Sequence, residues 1–168
     1  MPRLPATEQN LEMAGRIGRA WRELRRGSSA STLREAIYGP CENSDVTVEP
    51  GQMDALDLLV TVESCRMGDL AEHLRIDPST ATRAAQRLVK DELAQRVDHE
   101  GDGRVVELAA TEKGRAVHAA VSERRRAVIL AMMERFDESE RSQLAEFLER
   151  FVAAADDVVA ARTTTTAK

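Results

Sequence analysis

Apolar residues in the first part of the chain recur at the spacing of a helix. Over residues 8–26 they follow one another at steps of three or four, which places them on one stripe of an α-helix. These positions are Leu11, Ala14, Ile17, Trp21 and Leu24. A Gly-Ser-Ser run at 27–29 ends this pattern, and Gly39 and Pro40 end a shorter helix around 33–38. The sequence therefore predicts two helices, followed by a loop at 41–51.

The next segment predicts three further helices. Apolar spacing indicates one helix after Pro50 and a short one around 70–74. Asp77 suits the N-cap of the third helix, and Pro78 suits its first position, where the missing N–H is no loss. We expect this third helix to run from 78 to about 93. Its inner side carries small or apolar residues, which are Ala81, Ala84, Ala85 and Leu88.

The pattern then changes to two short runs rich in β-branched residues, at 95–99 and 104–109. Between them, the Glu-Gly-Asp-Gly sequence at 100–103 is a turn with two glycines, which predicts a β-hairpin. Thr111 is expected to cap a long helix that runs to about 136. Asp137 and Glu140 have the spacing of a capping box for a last helix.

These elements predict a mainly α fold with a small β-hairpin. Two helices joined by a short turn and followed by a hairpin have the order of a winged helix-turn-helix, here flanked by N- and C-terminal dimerisation helices. We divide the chain into terminal helices and a loop (1–50), the winged module (51–110), the C-terminal helices (111–160) and a disordered tail (161–168).

The outer face of the third of these helices carries the candidate chemistry. Residues 79–90 include three basic and no acidic residues, a local charge of +3 in a chain whose net charge is −5. An acidic total does not exclude DNA, because counterions are released only where contacts are made. The candidate DNA-binding residues are Ser79, Thr80, Thr82, Arg83, Gln86, Arg87 and Lys90 on the helix, and Asp102 and Arg104 on the hairpin.

Each side-chain type suits a different part of DNA. Arg83 and Gln86 can form bidentate hydrogen bonds with base edges, and Lys90 suits a backbone phosphate. Ser79 lies near a helix N-terminus, where a phosphate oxygen is favoured, and Arg104 suits the narrow minor groove. The alternative for the helix alone is a solvated polar face, and the hairpin that follows makes this alternative weaker.

Residues 70–115 resemble the MarR family of bacterial regulators. The resemblance rests on the Pro-Ser-Thr-Ala-Thr-Arg start at 78–83, Arg87-Leu88, Leu93, the Asp-Gly-Arg sequence at 102–104 and Thr-Glu-Lys-Gly at 111–114. These features span about 45 residues without a gap, and the flanking helices match in length and order alone.

The resemblance implies a homodimer in which the first and the last two helices intertwine. It also implies that two winged modules bind double-stranded DNA at a pseudo-palindromic operator, and that a small phenolic or anionic effector releases the DNA. One departure lies at 90–93, where this chain has Lys-Asp-Glu-Leu and the family usually has a glycine before its leucine. We therefore expect the helix end and the angle of the wing to differ.

Both terminal helices are too apolar to stand alone, and burying both in a two-fold bundle would satisfy them. The expected dimer-interface residues are Leu11, Ile17, Leu24, Leu144, Leu148, Phe151 and Val158. The candidate lining of a ligand pocket is Met13, Trp21, Tyr38 and Leu58, for which interface packing is the alternative.

Other chemistry is not indicated. The three histidines and two cysteines have no metal-ligand spacing, and the chain has no Gly-rich phosphate loop, so we expect no metal, no cofactor and no enzyme. We expect a cytoplasmic protein with reduced cysteines, of which Cys41 suits oxidation better than Cys65. The arginines at 124–126 are expected to be solvated. The alternative function is a winged-helix scaffold for protein–protein contact without specific DNA binding.

Overall fold

A computed structural model of the protein describes residues 4–40, 47–98 and 106–166. Its contacts divide the chain into two units, residues 1–126 and 127–168. The elements are α1 (Glu8–Arg26), α2 (Ser28–Tyr38), α3 (Pro50–Val62), β1 (Ser64–Arg66), α4 (Leu70–Leu74), α5 (Pro78–Lys90), β2 (Ala94–Asp98), β3 (Val106–Ala110), α6 (Glu112–Met133) and α7 (Glu138–Thr166). The mainly α architecture with a small β component is confirmed.

Local capping explains where several helices begin. The Asp77 carboxylate accepts a hydrogen bond from the backbone N–H of Thr80 at 3.0 Å, and Pro78 takes the first position of α5. Asp137 and Glu140 form the reciprocal capping box of α7, with both hydrogen bonds at 2.9 Å. The hydroxyl of Thr111 accepts from the N–H of Gly114 at the start of α6. All three predicted starts are confirmed.

The core lies where α3, α4 and α5 pack against the sheet. Its largest side chains are fully buried, and they include Met53, Leu56, Leu59, Leu70, Leu88, Leu93 and Leu108. Ala81, Ala84 and Ala85 form the rest of the inner face of α5, and their small size lets the helix pack closely on its neighbours. Val117 and Val121 of α6 are buried in the same core, so this helix completes the core of the central module.

The sheet has three antiparallel strands in the order β1-β3-β2, rather than the hairpin alone. Cys65 of β1 pairs with Leu108 of β3, which pairs on its other side with Arg96 of β2. Strand β1 was not predicted from the sequence, because three residues are too few to show an alternating pattern. The predicted turn at 100–103 lies outside the described residues.

The end of α5 corrects the predicted boundary by three residues. The helix stops at Lys90, and Glu92 adopts a left-handed conformation with φ of 60°. The N–H of Leu93 then donates to the carbonyl of Leu88 at 2.8 Å, which completes a Schellman-type C-cap. Glu92 thus occupies the position at which the family usually has glycine, and an L-residue is strained there.

Gly114 is required where α6 begins. A Cβ atom built on this glycine would lie 2.0 Å from the carbonyl oxygen of Leu93, far inside the contact distance. That same oxygen accepts the N–H of Thr111 at 3.1 Å, and the Thr111 hydroxyl donates to the carbonyl of Glu92 at 2.7 Å. The start of α6 is therefore fastened to the turn that follows α5.

The C-terminal helices differ in length from the prediction. α6 ends at Met133, three residues before the predicted end near 136. α7 continues to Thr166 rather than ending near 160, since neither glycine nor proline interrupts it. Every residue of α7 from 138 to 161 is exposed in the single chain. In the described part of the chain no helix is long and apolar enough to cross a membrane.

Candidate nucleic-acid interface

Helix α5 separates its residues into a buried and an exposed face. Ala81, Ala84, Ala85 and Leu88 are buried. The candidate residues Ser79, Thr80, Thr82, Arg83, Gln86, Arg87 and Lys90 are all exposed. Among the described residues we find no ion pair to the basic side chains of this face. The fold thus presents a positively charged helical face to solvent.

The hydroxyl groups at the start of α5 already have partners. Ser79 donates to the Asp77 carboxylate at 2.6 Å, Thr80 donates to it at 2.5 Å, and Thr82 donates to the carbonyl of Pro78 at 2.8 Å. The bonds from Ser79 and Thr80 lower the pKa of Asp77 well below its usual range. A fixed negative charge therefore lies at this helix N-terminus, and Ser79 would have to exchange its partner to donate to a phosphate.

The side-chain donors directed outward are those farther along the helix. Arg83 and Arg87 line a cleft of about 260 Å³ together with the N-terminus of α3. Thr82 and Gln86 line a second cleft of about 290 Å³ on the opposite flank, together with Arg96 of β2. The two flanks of α5 consequently offer different chemistry, two guanidinium groups on one and an amide with a hydroxyl on the other.

Arg96 of β2 is a further member of this surface that the sequence did not predict. Its side chain is exposed and lies beside Gln86 because β2 packs next to α5. A basic residue in the strand after α5 was the available signal, but a single arginine in a strand has little weight by itself. Asp102 and Arg104 lie outside the described residues and stay predictions.

The four candidate ligand-pocket residues lie in different surroundings in the single chain. Tyr38 lines a cleft of about 630 Å³, between α2 and the start of α3, whose walls also carry Arg25, Arg26 and Arg34. Leu58 instead packs against the core of the module. Met13 and Trp21 are exposed on α1, and neither of them lines this cleft.

All seven candidate dimer residues are exposed in the single chain. Their exposed fractions range from 37% at Leu144 to 65% at Leu24. α1 buries no residue, although Leu11, Ile17 and Leu24 lie on one stripe of it. Cys65, by contrast, is buried, and this burial raises the pKa of its thiol, so it has the character of a core residue rather than a redox sensor. Cys41 lies outside the described residues.

No three metal-ligating side chains cluster in the described ranges. What the fold does provide is a pair of helices, α4 and α5, joined by a tight turn, and then two antiparallel strands. This arrangement defines the winged helix-turn-helix class, in which the second helix fits the major groove of DNA.

The winged module has a recognisable sequence pattern. Residues 48–106 match the model of the MarR family, to which this module is therefore similar. The resemblance seen in residues 70–115 is thereby confirmed. A search of curated proteins found no significant match.

Solved structures share the fold along most of the chain. RV1404 from Mycobacterium tuberculosis is 28% identical, with a TM-score of 0.65 over 90% of this chain and 97% of that one. FabT of Streptococcus pneumoniae, solved in complex with DNA, is 19% identical, with a TM-score of 0.71 over 86% and 99%. The PcaV transcriptional regulator of Streptomyces coelicolor, solved with its natural ligand, is 21% identical, with a TM-score of 0.57 over 92% and 99%.

Proposed function

We propose that the protein is a transcriptional regulator, most simply a repressor, that binds a pseudo-palindromic operator as a homodimer. The observation that carries the proposal is the arrangement of α5. Its exposed face has a charge of +3, and its opposite face is buried in the module. A solved MarR-type fold in complex with DNA supports the same role. A bacterial regulator that binds operator DNA acts in the cytoplasm, so this proposal includes a cytoplasmic location.

In this proposal α5 enters the major groove. Gln86 and Arg83 bind base edges, because an amide and a guanidinium can each form two hydrogen bonds with one base. Arg87 and Lys90 bind backbone phosphates, which fix the register of the helix. Arg104 of the wing enters the minor groove. The Thr82 methyl group is available for contact with thymine, since its hydroxyl proton is already used within the helix.

The homodimer accounts for the terminal helices. Segments 1–50 and 111–160 carry exposed apolar stripes, and a second copy would bury both. One module with a few base contacts binds weakly, whereas two modules on half-sites about 34–36 Å apart bind the same DNA molecule together.

A small phenolic or anionic effector would release the DNA. The cleft at Tyr38 supports this part of the proposal, because it offers a phenol ring and three guanidinium groups. PcaV, which shares the fold, was solved with its natural ligand. The effector cleft we propose therefore differs from the set of four residues expected from the sequence, with Tyr38 in common.

A mobility-shift titration against the DNA upstream of the gene, with unrelated DNA as competitor and with salt varied, tests the function. We expect tight binding that survives the competitor, at two subunits per site. Arg83→Ala should cost about 1–3 kcal/mol on the operator and relax base choice, whereas Lys90→Ala should weaken binding to all sequences alike.

The matched control is Arg126→Ala, which removes one exposed positive charge from α6 rather than from α5. Equal effects of Arg126→Ala and Arg83→Ala would indicate nonspecific attraction and contradict the assignment of α5. Weak binding that is equal on both DNAs would favour the scaffold alternative.

A further inference from the structure

Four polar side chains from helices α2, α3 and α6 lie close together. The Asp57 carboxylate of α3 lies 2.8 Å from Nε2 of His118 and 3.2 Å from Nη1 of Arg125, both of which belong to α6. His118 and Arg125 are seven residues apart, so they lie two turns apart on one face of α6. One carboxylate therefore joins α3 to two positions of α6 that lie two turns apart.

Arg125 extends this cluster to α2. Its Nη2 atom lies 3.4 Å from the hydroxyl of Tyr38, and its guanidinium carbon lies 5.8 Å from the centre of the Tyr38 ring. The neighbouring Arg124 donates to the carbonyls of Gly39 and Pro40 at 2.8 and 3.3 Å. These arginines, expected to be solvated, instead fasten the end of α2 to α6.

The cluster is shielded enough from water for its electrostatics to be significant. The side chains of His118, Arg125 and Asp57 are 23%, 31% and 33% exposed, well below an ordinary surface ion pair. Burial raises the pKa of Asp54, one turn earlier on α3, and the charge of Asp57 raises it further, whereas Arg125 opposes the shift. Arg125 thus offsets part of the repulsion between the two carboxyl groups.

The Arg125 end of this cluster lies farther along α6 than the other contacts of that helix with the module. One of these contacts is the close approach of Gly114 to Leu93, at the turn after α5. Residues 114 and 125 are separated by about 16 Å along a helix.

Between these two positions, Val117 and Val121 of α6 are buried in the core of the module. This apolar packing is not directional, whereas the contacts of Asp57 with His118 and Arg125 join specific atoms and so favour one angle of α6. The module shares its core between α3 and α5, so the contact at α3 also orients α5.

We propose that Asp57 is a positioning residue that sets the angle between α5, the helix proposed to read DNA, and α6. Through this angle, Asp57 sets the half-site spacing that the dimer accepts. This inference rests on the proposed function, since it concerns two modules on one DNA. A rotation of about 10° moves the far end of a helix about 20 Å long by about 3.4 Å, which is the rise of one base pair. A small change of angle is therefore enough to lose the register of the second half-site.

Asp57→Asn tests the proposal, with Asp54→Asn as the matched control on the same helix. Binding is measured on a single half-site and on full sites whose spacing is changed by one base pair in either direction. For Asp57→Asn we expect half-site affinity within about twofold of wild type, full-site affinity lower by about tenfold, and a broader spacing preference. Asp54→Asn should keep the wild-type preference. An unchanged spacing preference in Asp57→Asn, or equal losses on half-sites and full sites, would overturn the proposal.

Arg125→Lys covers the case in which Asp57→Asn does not fold. It keeps the positive charge but loses the planar group that contacts Asp57 and Tyr38 together, and it should broaden the spacing preference in the same way. If it leaves that preference unchanged, the proposal fails.

A measurement without DNA separates this inference from the proposed function. Spin labels at Gln86 of α5 and Glu123 of α6, in a Cys41→Ser background diluted with unlabelled chain, report the angle directly. Asp57→Asn should broaden the distance distribution, and Asp54→Asn should not. Operator binding is measured on the unlabelled wild-type protein, because the label at Gln86 replaces a proposed base contact. A broadened distribution together with no operator binding by the wild type would refute the proposed function and keep the positioning role, while an unbroadened one would refute that role.

Discussion

The winged module and the terminal helices both have apolar stripes, but the fraction of these apolar residues that is buried differs greatly between them. In the module, the core-facing apolar positions of α3, α5 and the sheet are buried, and Met53, Leu56 and Leu59 have no exposed surface. In α1, and in α7 from 138 to 161, no residue is buried. The same kind of pattern therefore has two outcomes in one chain.

The difference shows how each region is stabilised. The module brings several elements together within about 70 residues, so its apolar faces meet one another and leave water. Each terminal helix offers one stripe, and isolated helices are marginal in water because most helical stability comes from packing. We therefore expect the module to be stable by itself and the terminal helices to depend on a second copy.

Leu59→Ala tests the stability of the winged module and should have the largest effect of the variants considered. Leu59 is fully buried in α3, and removing its branched end leaves a cavity that costs about 2–5 kcal/mol. Urea denaturation measures the free energy of unfolding. At concentrations that favour the monomer, Leu148→Ala in the exposed stripe of α7 should change it by much less. Equal costs for the two variants would contradict the comparison.

Leu148→Glu tests the second half of the comparison. A charge placed in an apolar interface is costly, so the dimer should be weakened by about 3 kcal/mol, on the order of a hundredfold in its dissociation constant. Sedimentation equilibrium measures that constant. The module should still unfold cooperatively, and Glu146→Ala, which changes a polar residue of α7, serves as the control. A Leu148→Glu protein that remains dimeric would show that this stripe is not the interface.

Alanine at two glycines should act in opposite directions in the two regions. Gly114→Ala places a Cβ against the Leu93 carbonyl and should destabilise the module by about 1–3 kcal/mol. Gly18→Ala on α1 meets only the end of the Arg22 side chain at 3.7 Å and should stabilise its helix by about 0.5–1 kcal/mol. Thermal unfolding shows whether each variant is stabilised or destabilised. A change in the same direction for both variants would contradict this prediction.

The smallest expected effect is a difference in pH dependence between two helix caps. Hydrogen bonds lower the pKa of Asp77 in the folded state, so its contribution to α5 is present above the ordinary carboxyl value of 3.8 and is lost as the pH falls below it. Thr7, which caps α1, does not titrate in this range. Acid titrations of unfolding should therefore show a shallower acid limb for Asp77→Asn than for wild type. The same loss of stability at low pH in both proteins would contradict the proposed contribution of the Asp77 carboxylate as a helix cap.

Much of the local structure could be predicted because its determinants lie within one turn of one another. Asp77 with Pro78, and Asp137 with Glu140, act over three residues or fewer, and the apolar stripe of α5 repeats within a single helix. The exposed basic face followed from the same periodicity. The boundaries at Lys90 and Met133 were less predictable, because the end of a helix depends on which conformation the next residues can adopt.

By itself the sequence determined the caps, the helical stripes, the small three-alanine face of α5 and the basic face opposite to it. The tertiary structure alone decided that β1 exists, that Gly114 is indispensable at Leu93, and that Asp57 joins α3 to α6. The contact between Asp57 and Arg125 spans 68 residues. Such pairs form only when the whole module closes, since no periodicity connects residues so far apart, and water would otherwise solvate each of them separately.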